Sequence, residues 1–133
     1  MHPESAHGPE PSAATMKSRG GLRRVWNAML YSVAGLRAAF THEAAFRQEL
    51  ALGMPLLMLV PFIAPGRWQA LAMAGSVVAI WVTELLNSAV EALADTVSLD
   101  LHPMLGCAKD MGSAAVMLTL IFGVVVWAVV LWH

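Results

Sequence analysis

From Ser113 to Trp132 the chain runs for 20 residues without a formal charge. As a helix rising 1.5 Å per residue, that run covers about 30 Å, the thickness of the hydrocarbon core of a bilayer. A segment of this kind leaves few folds open. The whole chain, 58% hydrophobic and 13% charged with a mean hydropathy of +0.63, is too apolar for an ordinary soluble domain. Trp127 and Trp132 lie towards the far end of the run, where aromatic rings anchor at the membrane interface. The expected class is an all-α membrane protein, and the remaining apolar stretches read as its other spans.

One of these, from Trp68 to about Val97, predicts a helix of roughly 45 Å, longer than a crossing requires. The stretch before it, about 44–64, is shorter in its uncharged part, Leu50 to Ala64, and contains Pro55 and Pro61. Counting Phe46 to Glu49 at the interface makes it long enough, and the prolines predict a kink that neighbouring helices tolerate. Pro65-Gly66-Arg67 predicts a tight connection, with Trp68 as an interfacial anchor. The third span is placed at about 111–132, after a loop that carries Asp100, His102, Lys109 and Asp110.

Residues 1–16 show no apolar period and read as a disordered tail rather than a secretory signal peptide, with Met16 an alternative start. Residues 17–133 form one domain. From about 22 to 40, Leu22, Val25, Trp26, Met29, Val33, Leu36 and Phe40 recur at threes and fours between Arg23, Arg24 and Arg37. This pattern predicts an amphipathic helix lying in the headgroup plane. Gly35 and Thr41-His42-Glu43 mark a break, with Thr41 as the N-cap of the next helix and Glu43 in its first turn. Six of the eight Lys and Arg residues fall in the first 47 positions. By the positive-inside rule the N-terminus and the 97–110 loop face the cytoplasm, and Gly66 and the C-terminus face outward.

Five of the nine acidic residues lie between Trp81 and Ser113. At 100° per residue, Glu84, Ser88, Glu91 and Asp95 share one stripe of a helix, with Asn87 beside it. Carboxylates at a spanning segment are expensive to place and face a bundle interior, a cavity or a partner, so this stripe is the candidate site. Depth along the helix puts Glu84 and Asn87 just inside the hydrocarbon edge and Glu91 and Asp95 just beyond it. Carboxylates suit a hard cation such as Mg²⁺, which takes one or two of them together with substrate phosphates. The Lys109-Asp110 pair adds a point charge for phosphate. The GxxxxGK[ST] loop and the HRD and DFG elements of protein kinases are absent. Cys107 has no cysteine partner and reads as a small packing residue; no zinc constellation is present. Residue types alone leave magnesium–nucleotide chemistry and a small proton-coupled transporter both open.

Four pieces break that tie. Gly35-Leu36-Arg37-Ala38-Ala39, Glu43-Ala44-Ala45-Phe46-Arg47-Gln48-Glu49, Glu84-Leu85-Leu86-Asn87-Ser88-Ala89-Val90-Glu91-Ala92 and Ala108-Lys109-Asp110-Met111-Gly112-Ser113-Ala114-Ala115-Val116 together resemble the small prokaryotic diacylglycerol kinase family. Their order and spacing fit from about Leu22 to the C-terminus. The resemblance implies an inner-membrane homotrimer, each chain contributing an amphipathic surface helix and three spans to a trimeric bundle. It also implies composite sites, facing the cytoplasm, that move the ATP γ-phosphoryl to diacylglycerol and yield phosphatidic acid. By the same resemblance Glu84 is the general base, and Glu43 and Glu91 are the metal ligands. Arg24, Tyr31, Asp100, Leu101, His102, Lys109 and Asp110 join Glu43 and Glu91 as nucleotide contacts. Arg37, Glu49, Asn87 and Ser113 line the lipid side with Glu84. Asp95 also matches, without a role; Asn27 stands where a basic residue is usual. No nucleic acid is expected among the partners.

Plainer roles compete with these. Glu49 can pair with an interfacial arginine, Asp95 can cap or solvate a helix end, and Trp127 can serve as packing or as an interface anchor. A related kinase acting on undecaprenol shares the general plan, so the lipid is the nearest rival within the class.

Overall fold

The computed structural model describes residues 20–97 and 103–132. They form four helices: α1, Gly20–His42; α2, Ala44–Ile63; α3, Arg67–Val97; and α4, Pro103–Trp132. α2, α3 and α4 are each long and apolar enough to cross a membrane. The chain divides into two compact units between Arg37 and Ala38. In the first unit Leu22, Val25, Trp26 and Met29 are exposed.

α1 begins and ends about a half-turn beyond the bounds expected of it, and it passes through Gly35 without interruption. A single glycine disfavours a helix by only about 1 kcal/mol relative to alanine, too little to end one of 23 residues. Thr41 is therefore still helical and is not the N-cap of α2. That position belongs to Glu43, whose backbone is extended at φ −99°, ψ 113° and whose side chain makes no capping hydrogen bond. Arg47, one turn into α2, donates from Nη1 to the carbonyls of Phe40 and Thr41, both at 3.1 Å. These lie among the last carbonyls of α1, which have no helical partner of their own.

α2 runs unbroken through Pro55 and Pro61. Its buried residues, Phe46, Gly53 and Val60, are seven apart and make one line facing α3. α3 is the hub of the second unit, burying Met73, Ser76, Val77, Glu84, Ser88 and Ala94. Its neighbours run antiparallel to it, as the pairings require: Glu49 meets Trp81 while Gly53 meets Val77, and on α4 Gly123 meets Ile80 while Gly112 meets Asn87. Hydroxyls on these helices are satisfied locally, Ser76 Oγ donating to Met73 O at 2.8 Å and Thr83 Oγ1 to Ala79 O at 2.8 Å. This removes the cost of an unpaired donor in an apolar medium. Trp127 Nε1 donates to Met73 O at 3.3 Å, so its ring ties α4 to α3.

α2 and α3 approach closely at Gly53. A Cβ there would sit 2.7 Å from Trp81 Cζ2 and 2.8 Å from Val77 Cγ1. Gly53→Ala is accordingly expected to destabilise the protein by about 1–3 kcal/mol, the usual range for overpacking. The thermal midpoint in bicelles measures this, and an unchanged midpoint would remove the close approach.

Two expectations for the last helix need correction. α4 starts at Pro103, eight residues before the expected 111, so Lys109 and Asp110 stand on a helix and not in a loop. Proline is pre-set for the first turn of a helix, and helical hydrogen bonding has no reason to stop where the apolar run does. Cys107 is exposed and packs in no core of the single chain.

Candidate active site

The stripe on α3 is graded. Glu84 is 5% exposed and Ser88 9%, Glu91 is half-buried, and Asp95 is exposed. Over this distance of roughly 16 Å the helix carries carboxylates from the interior of the bundle to its surface. The gradient arises because α2 and α4 cover the middle of α3, while near its end Ala94 stays buried and the side chains around it are exposed. Glu84 is not isolated: the charges of Glu91 and Glu43 act on it, and its own charge acts on Glu49. Four carboxylates from α2, α3 and the α1–α2 junction thus form one electrostatic cluster.

Within it, Asn87 Nδ2 donates to Glu91 Oε1 at 3.1 Å. The other end of that amide, Oδ1, is buried against Gly112 and has no hydrogen-bond partner. Glu43 keeps its carboxylate free of capping duty. Like charges brought together in this way are relieved by a cation, and an all-oxygen donor set suits a hard one. Among the described residues no three metal-binding side chains converge on one point.

Glu49 faces the apolar side. Its Oε2 is buried without a hydrogen-bond partner, and its backbone carbonyl accepts Trp81 Nε1 at 3.1 Å. It stands at an apolar cavity of about 540 Å³ whose lining includes Gly53, Trp81, Gly123, Trp127 and Leu131. On the polar side Lys109 Nζ forms an ion pair with Asp95 at 2.8 Å. Asp95, exposed near the end of α3, is thus paired as well as solvated.

Asp110 is exposed, and it lies about 200° around α4 from Gly112, on the side away from Asn87. Ser113 is also exposed. Arg24 and Tyr31 line a shallow groove of the first unit with Arg23, Asn27 and Ala28; Arg37 is exposed on the same helix. Asp100, Leu101 and His102 lie outside the described residues.

Two residues had no role in the sequence reading: Gly112, although it sits inside the Lys109–Ser113 piece, and Asp95. Periodicity found the stripe that holds Asp95. No sequence signal supplied its partner on another helix.

A sequence model of the family "Prokaryotic diacylglycerol kinase" matches residues 30–131, more than half of the chain. A diacylglycerol kinase of Pseudomonas aeruginosa is 42% identical over 120 residues, covering 90% of this chain and 98% of that protein. One from Escherichia coli K12 is 38% identical over 112 residues, 84% of this chain and 92% of the relative. One from Helicobacter pylori is 35% identical over 109 residues, 80% and 84%. With a carboxylate-bearing helix at the centre of three membrane-length helices and this likeness along most of its length, the chain belongs to the prokaryotic diacylglycerol kinase family.

Proposed function

We propose that the chain is an ATP-dependent kinase that transfers the γ-phosphoryl group to the free hydroxyl of diacylglycerol, giving phosphatidic acid and ADP. The supporting observation is the graded stripe on α3, buried at Glu84 and open at Asp95. A lipid hydroxyl sits at the boundary of headgroup and acyl chains, whereas a nucleotide arrives from water. A site for both needs a base at depth and phosphate-binding groups nearer the surface. Glu84 and Glu91, two turns apart and about 10 Å along the axis, meet that need.

In the reaction Glu84 accepts the hydroxyl proton as the lipid oxygen bonds to the γ-phosphorus, and the bond from that phosphorus to the β–γ bridging oxygen breaks. Glu43 and Glu91 would hold Mg²⁺, which when bound neutralises charge on the phosphates. Lys109 leaves Asp95 for phosphate at small cost. Their side chains are 39% and 62% exposed, so solvent screens the pair and leaves it weak. Arg24, Tyr31, Asp100 to His102 and Asp110 complete the nucleotide side. Arg37, Glu49, Asn87 and Ser113 serve the lipid side, where the apolar cavity beside Glu49 suits acyl chains.

The working form is a homotrimer in the inner membrane, its sites built from neighbouring chains. Asp110 and Ser113, exposed in one chain, are then available to a site shared with another. The basic α1 lies on the cytoplasmic surface, the side where ATP is supplied.

The test offers γ-labelled ATP to protein reconstituted in vesicles holding both diacylglycerol and undecaprenol, with ATP added to inside-out or right-side-out preparations. Label in phosphatidic acid, from inside-out vesicles, is expected. Label only in the polyprenol would move the activity to that substrate, and no lipid label would leave a transporter.

A further inference from the structure

Gly112 lies between residues that were given roles, and the structure supplies a reason for its identity. A Cβ built on it would overlap Asn87 Oδ1 and lie 3.2 Å from Asn87 Cγ and 3.8 Å from its Cα. The approach to Cα is ordinary van der Waals contact, so the overlap falls on the amide itself, which must turn or withdraw to make room. Asn87 is also held at its other end, where Nδ2 donates to Glu91 Oε1 at 3.1 Å. Its amide is thus clamped between the bare backbone of α4 and a carboxylate of α3. Gly53, Gly66 and Gly123 are crowded as well, against Trp81 and Val77, Gln69 and Ile80, so among these glycines Gly112 is set apart by meeting the asparagine that bonds Glu91, whereas Gly21, Gly35, Gly75 and Gly106 have nothing within 4 Å of the same constructed atom.

We infer that Gly112 is a positioning residue for the divalent cation: its missing side chain seats Asn87, and the Asn87 amide fixes the Glu91 carboxylate that binds the ion. The inference rests on the reading of Glu91 as a metal ligand. It also moves Asn87 from the lipid lining to the metal side of the site. A hydrogen bond to one oxygen of a ligating carboxylate sets which oxygen faces the ion, and losing such a partner commonly weakens metal binding by roughly 10–100-fold. In G112A the added methyl expels the Asn87 amide, and Glu91 loses its donor although both α3 residues are unchanged.

Direct binding of Mn²⁺, a hard ion that suits the same oxygen ligands, is read by the loss of its free electron-paramagnetic signal. The samples are the full chain in bicelles with a non-hydrolysable ATP analogue, each read against the same analogue in protein-free bicelles, as wild type, G112A, N87A, N87A/G112A and G106A. G106A carries the same glycine-to-alanine change on the same helix, where the methyl touches nothing. Expected are a weakening of roughly 10-fold or more in G112A and N87A, no further loss in the double variant, and near wild-type affinity in G106A. The double variant removes the clash, and N87A never contains it, so a G112A protein that fails to fold leaves both measurements standing. Wild-type affinity in N87A, or a double variant much weaker than N87A alone, overturns the inference while Glu91 remains a ligand. A wild type that binds no Mn²⁺ overturns the metal reading of Glu91 and this inference with it.

Discussion

Replacing Glu84 with glutamine is expected to lower kcat by roughly 10²-fold or more and to leave nucleotide affinity nearly intact. The amide fills the same space, so no cavity opens at a position only 5% exposed. What it lacks is a lone pair basic enough to take the hydroxyl proton. The groups proposed for the nucleotide are other residues: Arg24, Tyr31, Glu43, Glu91, Asp100 to His102, Lys109 and Asp110. Thermal stability separates this reading from a structural one. Glutamine keeps the size and hydrogen-bonding capacity of the side chain and removes only its charge, so a role confined to proton transfer leaves the thermal midpoint nearly unchanged. A helix-crosslinking role predicts the reverse, a lower midpoint or a lost assembly. Turnover, nucleotide binding and thermal stability on one preparation decide the matter, and near-normal kcat would sink the proposal.

Glu91→Gln is expected to abolish turnover at ordinary Mg²⁺ while the protein still folds. Glutamine keeps an oxygen that can accept the Asn87 N–H, so the 3.1 Å hydrogen bond survives and Asn87 stays in place against Gly112. The change then isolates the charge. A neutral amide is a poor ligand for a hard dication, and the loss should exceed the roughly 10–100-fold seen when only an outer partner of a ligand is removed. A Mg²⁺ titration of activity checks this. Full activity at ordinary Mg²⁺ would place the ion at other residues.

Both predictions concern residues visible from periodicity alone, and the reason is physical. In a chain this apolar, a carboxylate is costly wherever lipid or packing surrounds it, so acidic residues repeating at threes and fours on a long apolar helix stand out. The three membrane-length helices were legible for the same reason. Backbone hydrogen bonding must be satisfied inside each span, which ties helix length to the length of the apolar run. α3, expected from Trp68 to about Val97, runs Arg67–Val97.

Where that rule lapses, the reading from sequence lapsed too. Beyond the apolar run nothing in hydropathy distinguishes helix from loop, and so the start of α4 was placed eight residues late. Capping near Thr41 depended on which residue leaves helical geometry, and the carry-through of α1 to His42 gave that position to Glu43.

By itself, then, the amino-acid order determined the class of the protein, the count of its spans and the acidic stripe proposed to carry its chemistry, because each follows from the period and polarity of individual helices. Only the tertiary structure decided that Lys109 pairs with Asp95, that Trp127 binds the carbonyl of Met73, and that Asn87 is wedged between Gly112 and Glu91. Those pairings depend on the register and closeness of two antiparallel helices, which are set by how side chains interdigitate across the interface. The periodicity of either helix alone does not contain that information.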